Sequence, residues 1–103
     1  MAKPVPVVSE ASLQGAVTDL CTWLGIKWYH VTDSRKDPSG WPDLVMCGRR
    51  KTIFRELKSA TGRLRPEQRS WGERLAASGQ DWALWRPADW QSGRIRNELE
   101  EIR

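Results

Sequence analysis

Two strand-like runs, DLVMC at 43–47 and TIFRELK at 52–58, are separated by only Gly48-Arg49-Arg50-Lys51. So short a connection joins antiparallel neighbours, because a parallel return needs a crossover of about a dozen residues or more. With those residues as the turn, Cys47 pairs with Thr52, and stepping back along both strands sets Asp43 opposite Glu56. Side chains alternate between faces along a strand, so Phe54, Glu56 and Lys58 share one face while Ile53, Arg55 and Leu57 share the other. The chemistry of this hairpin is awkward. Asp, Glu and Lys are poor strand formers, and two carboxylates directly opposed across a strand pair repel one another.

Around the hairpin the periodicity changes. MAKPVPVV at 1–8 carries two prolines and reads as a flexible N-terminal arm; 9–103 reads as a single domain. Leu13, Val17, Leu20, Cys21 and Leu24 recur at helical spacing after Ser9, a good N-cap, and before Gly25, so a helix is predicted over 10–24. IKWYHVT at 26–32 is β-branched and aromatic, a strand, and 33–42 is a turn-rich loop. Pro66 and Glu67 suit the first turn of a second helix over 66–78, with Gln68, Trp71, Leu75 and Ala76 on one face. Arg65 stands at the N-cap, where it is a poor capping residue. QDWALWRP at 80–87 returns as a strand stopped by Pro87, and a last helix over 92–103 buries Ile95, Leu99 and Ile102. The order is α-β-β-β-α-β-α.

Charge is unevenly spread. The net charge is +4, yet residues 35–74 hold eleven Lys and Arg against five Asp and Glu, while each flank is slightly acidic. A basic middle suits a polyanion such as nucleic acid, and also suits ordinary solvated surface. Cys21 and Cys47 fall in apolar-patterned segments and read as buried free thiols of a reducing compartment. No apolar run approaches the ~20 residues that span a bilayer, so no membrane partner is expected and the protein is expected to be cytoplasmic.

Lys58 lies on the face of Glu56, which leaves two readings of the hairpin: a structural ion-pair trio, or a divalent-cation site of hard oxygen donors completed by waters and substrate phosphate. A lysine beside such a site orients the attacking water and stabilises charge on the phosphate, so the second reading fits phosphodiester hydrolysis.

Pro42-Asp43, then Glu56-Leu57-Lys58, resembles the PD-(D/E)XK nuclease motif. With Gly40-x-Pro42-Asp43-Leu44, Gly62-x-Leu64, Glu67-Gln68, Trp71, Leu75, Gly79 and Arg86-Pro87, the pattern resembles the short stand-alone form of the VRR-NUC (virus-type replication-repair nuclease) branch, from about Glu10 to Trp90. The resemblance implies an α/β, restriction-endonuclease-like core with a small mixed sheet flanked by helices. It implies a Mg²⁺- or Mn²⁺-dependent DNA endonuclease acting on branched, flap or Holliday-junction DNA, working as a homodimer in a bacterial or phage-infected cell. Carried over, Asp43, Glu56, Glu10 and the carbonyl of Leu57 are metal ligands, Lys58 is the catalytic lysine, and Gln68 faces the active centre. The rival is a non-catalytic nucleic-acid-binding or assembly module of the same fold.

The remaining notable residues divide by chemistry. Arg35, Lys36, Arg49, Arg50, Lys51, Arg63, Arg65 and Arg69 are candidates for phosphate contacts. Trp41, beside the proposed metal loop, is a candidate to stack on a base or to pack a partner subunit. Trp23, Trp71, Trp82 and Trp85 are expected on buried faces, Tyr29 in packing, and His30 in a structural role at a strand end.

Overall fold

A computed structural model describes residues 6–31 and 39–103 and places the hairpin in the middle of a four-stranded sheet. The elements are α1 (Glu10–Trp23), β1 (Lys27–His30), β2 (Leu44–Cys47), β3 (Thr52–Leu57), α2 (Pro66–Ala77), β4 (Asp81–Trp85), α3 (Pro87–Gln91) and α4 (Arg94–Ile102). The strands lie in the order β1-β2-β3-β4. β1 and β2 pair antiparallel, as do β2 and β3, and β4 joins β3 in parallel after the α2 crossover. Cys47 pairs with Thr52 and Leu44 with Arg55, the expected register, and the Gly48 N–H closes the turn on the Lys51 carbonyl at 3.0 Å.

α1 begins as its sequence demands. The Ser9 hydroxyl accepts from the Ser12 N–H at 3.1 Å, and the Ser12 hydroxyl accepts from the Ser9 N–H at 2.9 Å, so two first-turn donors are satisfied. Leu13, Val17 and Cys21 of α1, Leu44 and Met46 of β2, Ile53 and Leu57 of β3, Trp85, and Ile95, Leu99 and Ile102 of α4 form one core. By strand alternation Phe54, Glu56, Trp82 and Leu84 turn to the opposite face, where α2 packs. The approach is close, since a Cβ on Gly72 of α2 would stand 2.6 Å from the Trp82 ring.

Several expectations are corrected. Pro87 ends β4 but opens a helix of its own: the Asp89 carboxylate accepts from the Arg86 N–H at 2.7 Å, and α3 then breaks at Gly93, whose φ is 85°. The expected last helix is α4, with Ile95, Leu99 and Ile102 buried as its spacing requires, and the short α3 is added to the expected order before it. Trp23 is 83% exposed, because Leu24 and Cys21 take the core side of that turn, and Tyr29 is 53% exposed on β1, which has a neighbour on one side only. Cys47, at the hairpin end, is exposed, while Cys21 is buried and both are free. Ala76 is exposed, and Gly72 holds the buried place on α2 with Gln68 and Leu75. Of the arm at 1–8, residues 1–5 lie outside the described residues; Val7 packs against the core, and its carbonyl accepts from the Gln91 side chain at 3.3 Å. Among the described residues no helix is long and apolar enough to cross a membrane.

Candidate active site

Asp43 precedes β2, where the chain leaves the ladder, and its side chain takes over as partner of β3: carboxylate Oδ2 accepts the Leu57 N–H at 2.8 Å. That bond fixes Asp43 against the end of β3, within hydrogen-bond contact of the Glu56 carboxyl. Glu56 is 1% exposed. Burial first, and then the adjacent Asp43, push its carboxyl up to about 9.

Gln68 reaches this pair from α2. Its carbonyl oxygen accepts from the Arg65 N–H at 2.9 Å, which orients the amide so that Nε2 donates to Glu56 Oε1 at 3.2 Å. The same bond supplies a helix-end partner that the Arg65 side chain cannot. The second Glu56 oxygen, Oε2, is buried with no hydrogen-bond partner. An ionised carboxylate only accepts, so two carboxylates in contact need a proton or a cation between them. The donors therefore fit a hard divalent ion: two carboxylates, one of them with an unpartnered buried oxygen, and the Leu57 main chain alongside. Among the described residues no three His, Cys, Asp or Glu side chains are already gathered at one point. Glu10, exposed in the first turn of α1, is thus a more distant member. Its carboxyl is raised by partial burial and by Asp43, and lowered by Lys58 and Arg65, which puts all four within electrostatic reach. Lys58 also acts on Glu56, favouring its ionised form.

The loop before Asp43 is pressed onto α2. A Cβ on Gly40, whose φ is 85°, would stand 2.4 Å from the Glu67 main chain. Trp71 Nε1 donates to the Ser39 carbonyl at 3.0 Å, and Trp41 meets Trp71 and Phe54 edge-on, with centroids 4.9 and 5.9 Å apart. Trp41 is therefore part of an aromatic wall beside the carboxylates.

A search of the solved structures finds a chain described as "VRR_NUC domain protein", superposable with a TM-score of 0.66 over 98% of this chain and 93% of that one, at 17% identity. This chain has the VRR-NUC fold. No protein-family model matches its sequence, and no curated protein does. Within the VRR-NUC fold of this chain, Asp43, Glu56 and Gln68 meet at one end of the hairpin, with Lys58 and Glu10 within electrostatic reach of them. The candidate phosphate-binding residues do not all gather there. Arg63, Arg65 and Arg69 flank the start of α2, near Gln68, whereas Arg49, Arg50 and Lys51 occupy the hairpin turn, roughly 16 Å away at ~3.3 Å per residue. Lys51 there pairs with Asp81 at 2.8 Å. Arg35 and Lys36 lie outside the described residues. His30 is half-buried at the end of β1.

Two arginines went unassigned by sequence reasoning. Arg55, 2% exposed on the core face of β3, bonds Glu98 at 2.7 Å and Asp81 at 3.0 Å and lies over the Trp85 ring at 5.1 Å. Its placement between Ile53 and Leu57 was the available signal, since a charge on a core face must be paired. Arg86 Nη1 donates to the carbonyls of Ser59 and Gly62, both at 2.7 Å.

Proposed function

We propose that the protein is a divalent-metal-dependent DNA endonuclease that hydrolyses phosphodiester bonds at the Asp43–Glu56–Lys58 end of the hairpin. The observation that carries this reading is the contact of two carboxylates, one of them buried with an unpartnered oxygen, next to a lysine. Asp43, Glu56 and the Leu57 carbonyl would hold Mg²⁺ or Mn²⁺, with Glu10 the next nearest carboxylate. Bound there, the ion supplies Lewis-acid polarisation of the scissile phosphate and a water of lowered pKa. Gln68 keeps Glu56 directed at the site through its amide. Lys58 Nζ orients the attacking water and stabilises the negative charge that builds on the phosphate. Arg63, Arg65 and Arg69 hold the flanking backbone.

A one-site enzyme of this size needs two copies to cut two strands, and isologous dimers are the commonest assembly; a homodimer acting on branched or junction-like DNA follows. Exposed Trp23 and the groove of about 710 Å³ beside it, bounded by Ala11, Gly15, Ala16 and Trp90, offer apolar surface for that contact.

The test is cleavage of duplex, flap, splayed and four-way DNA in Mg²⁺ or Mn²⁺, with sedimentation of the same samples. Asp43→Ala and Lys58→Ala are expected to lower the rate by at least about 10²-fold while DNA binding persists. Wild-type rates from Lys58→Ala would overturn the assignment. DNA binding indifferent to metal, without cleavage, would point to a binding module instead.

A further inference from the structure

Sheet register brings β4 to the catalytic end. Because β3 and β4 run parallel with Leu57 beside Trp85, the residue after β4 falls beside the residues after β3. The Lys58 N–H donates to the Trp85 carbonyl at 3.1 Å, and the next side chain along, Arg86, reaches over the turn that follows Lys58. Its Nη1 bonds both ends of that turn, the Ser59 and Gly62 carbonyls, at 2.7 Å each. The turn closes on itself through the Gly62 N–H to the Ser59 hydroxyl at 3.0 Å. It lies against the lysine as well: a Cβ on Gly62 would stand 3.5 Å from Lys58 Cδ. On the other side, the Arg86 main chain is held by Asp89, which in turn pairs with Arg94 at 3.0 Å.

We propose that Arg86 is a positioning residue: it clamps the turn between β3 and α2, and so sets Lys58, which enters that turn, relative to Gln68, which follows it. The inference rests on the role given to Lys58 above. Charge alone would suggest a phosphate contact for Arg86, but both N–H groups of Nη1 serve main-chain carbonyls, which are the groups an isolated turn leaves unpaired. Since displacement of a reacting group by about 1 Å can lower a rate by about 10²-fold, the clamp acts on turnover more than on binding.

The experiment compares wild type, Arg86→Ala and Arg86→Lys by single-turnover cleavage, DNA affinity and amide hydrogen exchange. Arg86→Ala is expected to lower kcat at least tenfold with KM and DNA affinity within about twofold, and to speed exchange at Gly62 at least tenfold while Met46 is unchanged. Because both bonds come from one nitrogen, Arg86→Lys should recover part of the rate. Should Met46 accelerate too, Arg86→Ala is failing to fold properly, and the Arg86→Lys protein decides by the same two readings. Unchanged exchange at Gly62, or lost affinity with unchanged kcat, would overturn the clamp; the latter would make Arg86 a phosphate contact. If wild type cuts no DNA, the nuclease reading falls, and exchange at Gly62 alone decides whether the clamp exists.

Discussion

Glu56 has opposite preferences in the folded and unfolded chain. Unfolded, its carboxyl titrates at the ordinary glutamate value of 4.5; folded and metal-free, burial and Asp43 raise it to about 9. Between those values the native state keeps a proton that the unfolded chain has released, so stability falls as pH rises, by up to about 1.4 kcal/mol per pH unit for one group. Asp81, held low chiefly by its hydrogen bond to Lys51, gives the opposite slope only in more acid solution. In EDTA, the melting temperature of wild type is therefore expected to fall from pH 5.5 to 8.5, and Glu56→Gln to flatten that decline. Parallel profiles would mean that Glu56 ionises freely in the fold. Adding Mn²⁺ at pH 8 should raise the wild-type midpoint and leave Glu56→Gln nearly unmoved. The Asp43–Glu56 apposition was legible in the sequence because a short turn and a two-residue alternation leave one register that buries Leu44, Met46, Ile53 and Leu57 together. The roles of Arg55 and Arg86 were not, since their partners lie 24 to 43 positions away in the chain.

At the level of elements, two helical glycines test how tightly each helix is docked. Gly15 of α1 has nothing within 4 Å of a built Cβ, whereas one on Gly72 of α2 would meet the Trp82 ring at 2.6 Å. Alanine in a helix interior is favoured over glycine by roughly 0.5–1 kcal/mol, so Gly15→Ala is expected to stabilise by about that amount. Gly72→Ala carries the same gain, but a rigid indole must move, and overpacking of this kind costs about 1–3 kcal/mol. Urea midpoints should shift in opposite directions, and a stabilised Gly72→Ala would mean that the Trp82 ring yields to the added methyl at little cost. The elements themselves were readable where caps and periodicity agreed, as from Ser9 to Gly25. They were misread where one residue has two uses. Pro87 both ends a strand and begins a helix, and Trp23, apolar by type, sits one position off the stripe of Leu13, Val17, Cys21 and Leu24.

Among the described residues of the whole molecule, the candidate phosphate-binding cations fall in two places. Arg63, Arg65 and Arg69 flank the start of α2, where Gln68 meets Glu56, while Arg49 and Arg50 stand at the far end of the hairpin; among the described residues the Arg65 side chain has a surface ion pair with Glu67 at 3.4 Å, which leaves its charge available. Backbone phosphates recur every ~3.4 Å along one strand, so DNA engaged at both places must extend about five nucleotides from the bond that is cut. Each neutralised phosphate adds about 0.9 to the slope of log affinity against log salt. Four contacts would thus weaken duplex binding about 150-fold between 50 and 200 mM salt. Replacing Arg63, Arg65 and Arg69 together by alanine should flatten the slope by as much as ~2.7 and lower cleavage of every substrate. The Arg49→Ala/Arg50→Ala protein should flatten it by up to ~1.8 on long arms only, with short-armed substrates cut at the wild-type rate. Equal losses on short and long arms would mean that the hairpin turn and the carboxylates face the same stretch of DNA. The strand would then have to bend back across the sheet, because Asp43 and Arg49 sit at opposite ends of one hairpin.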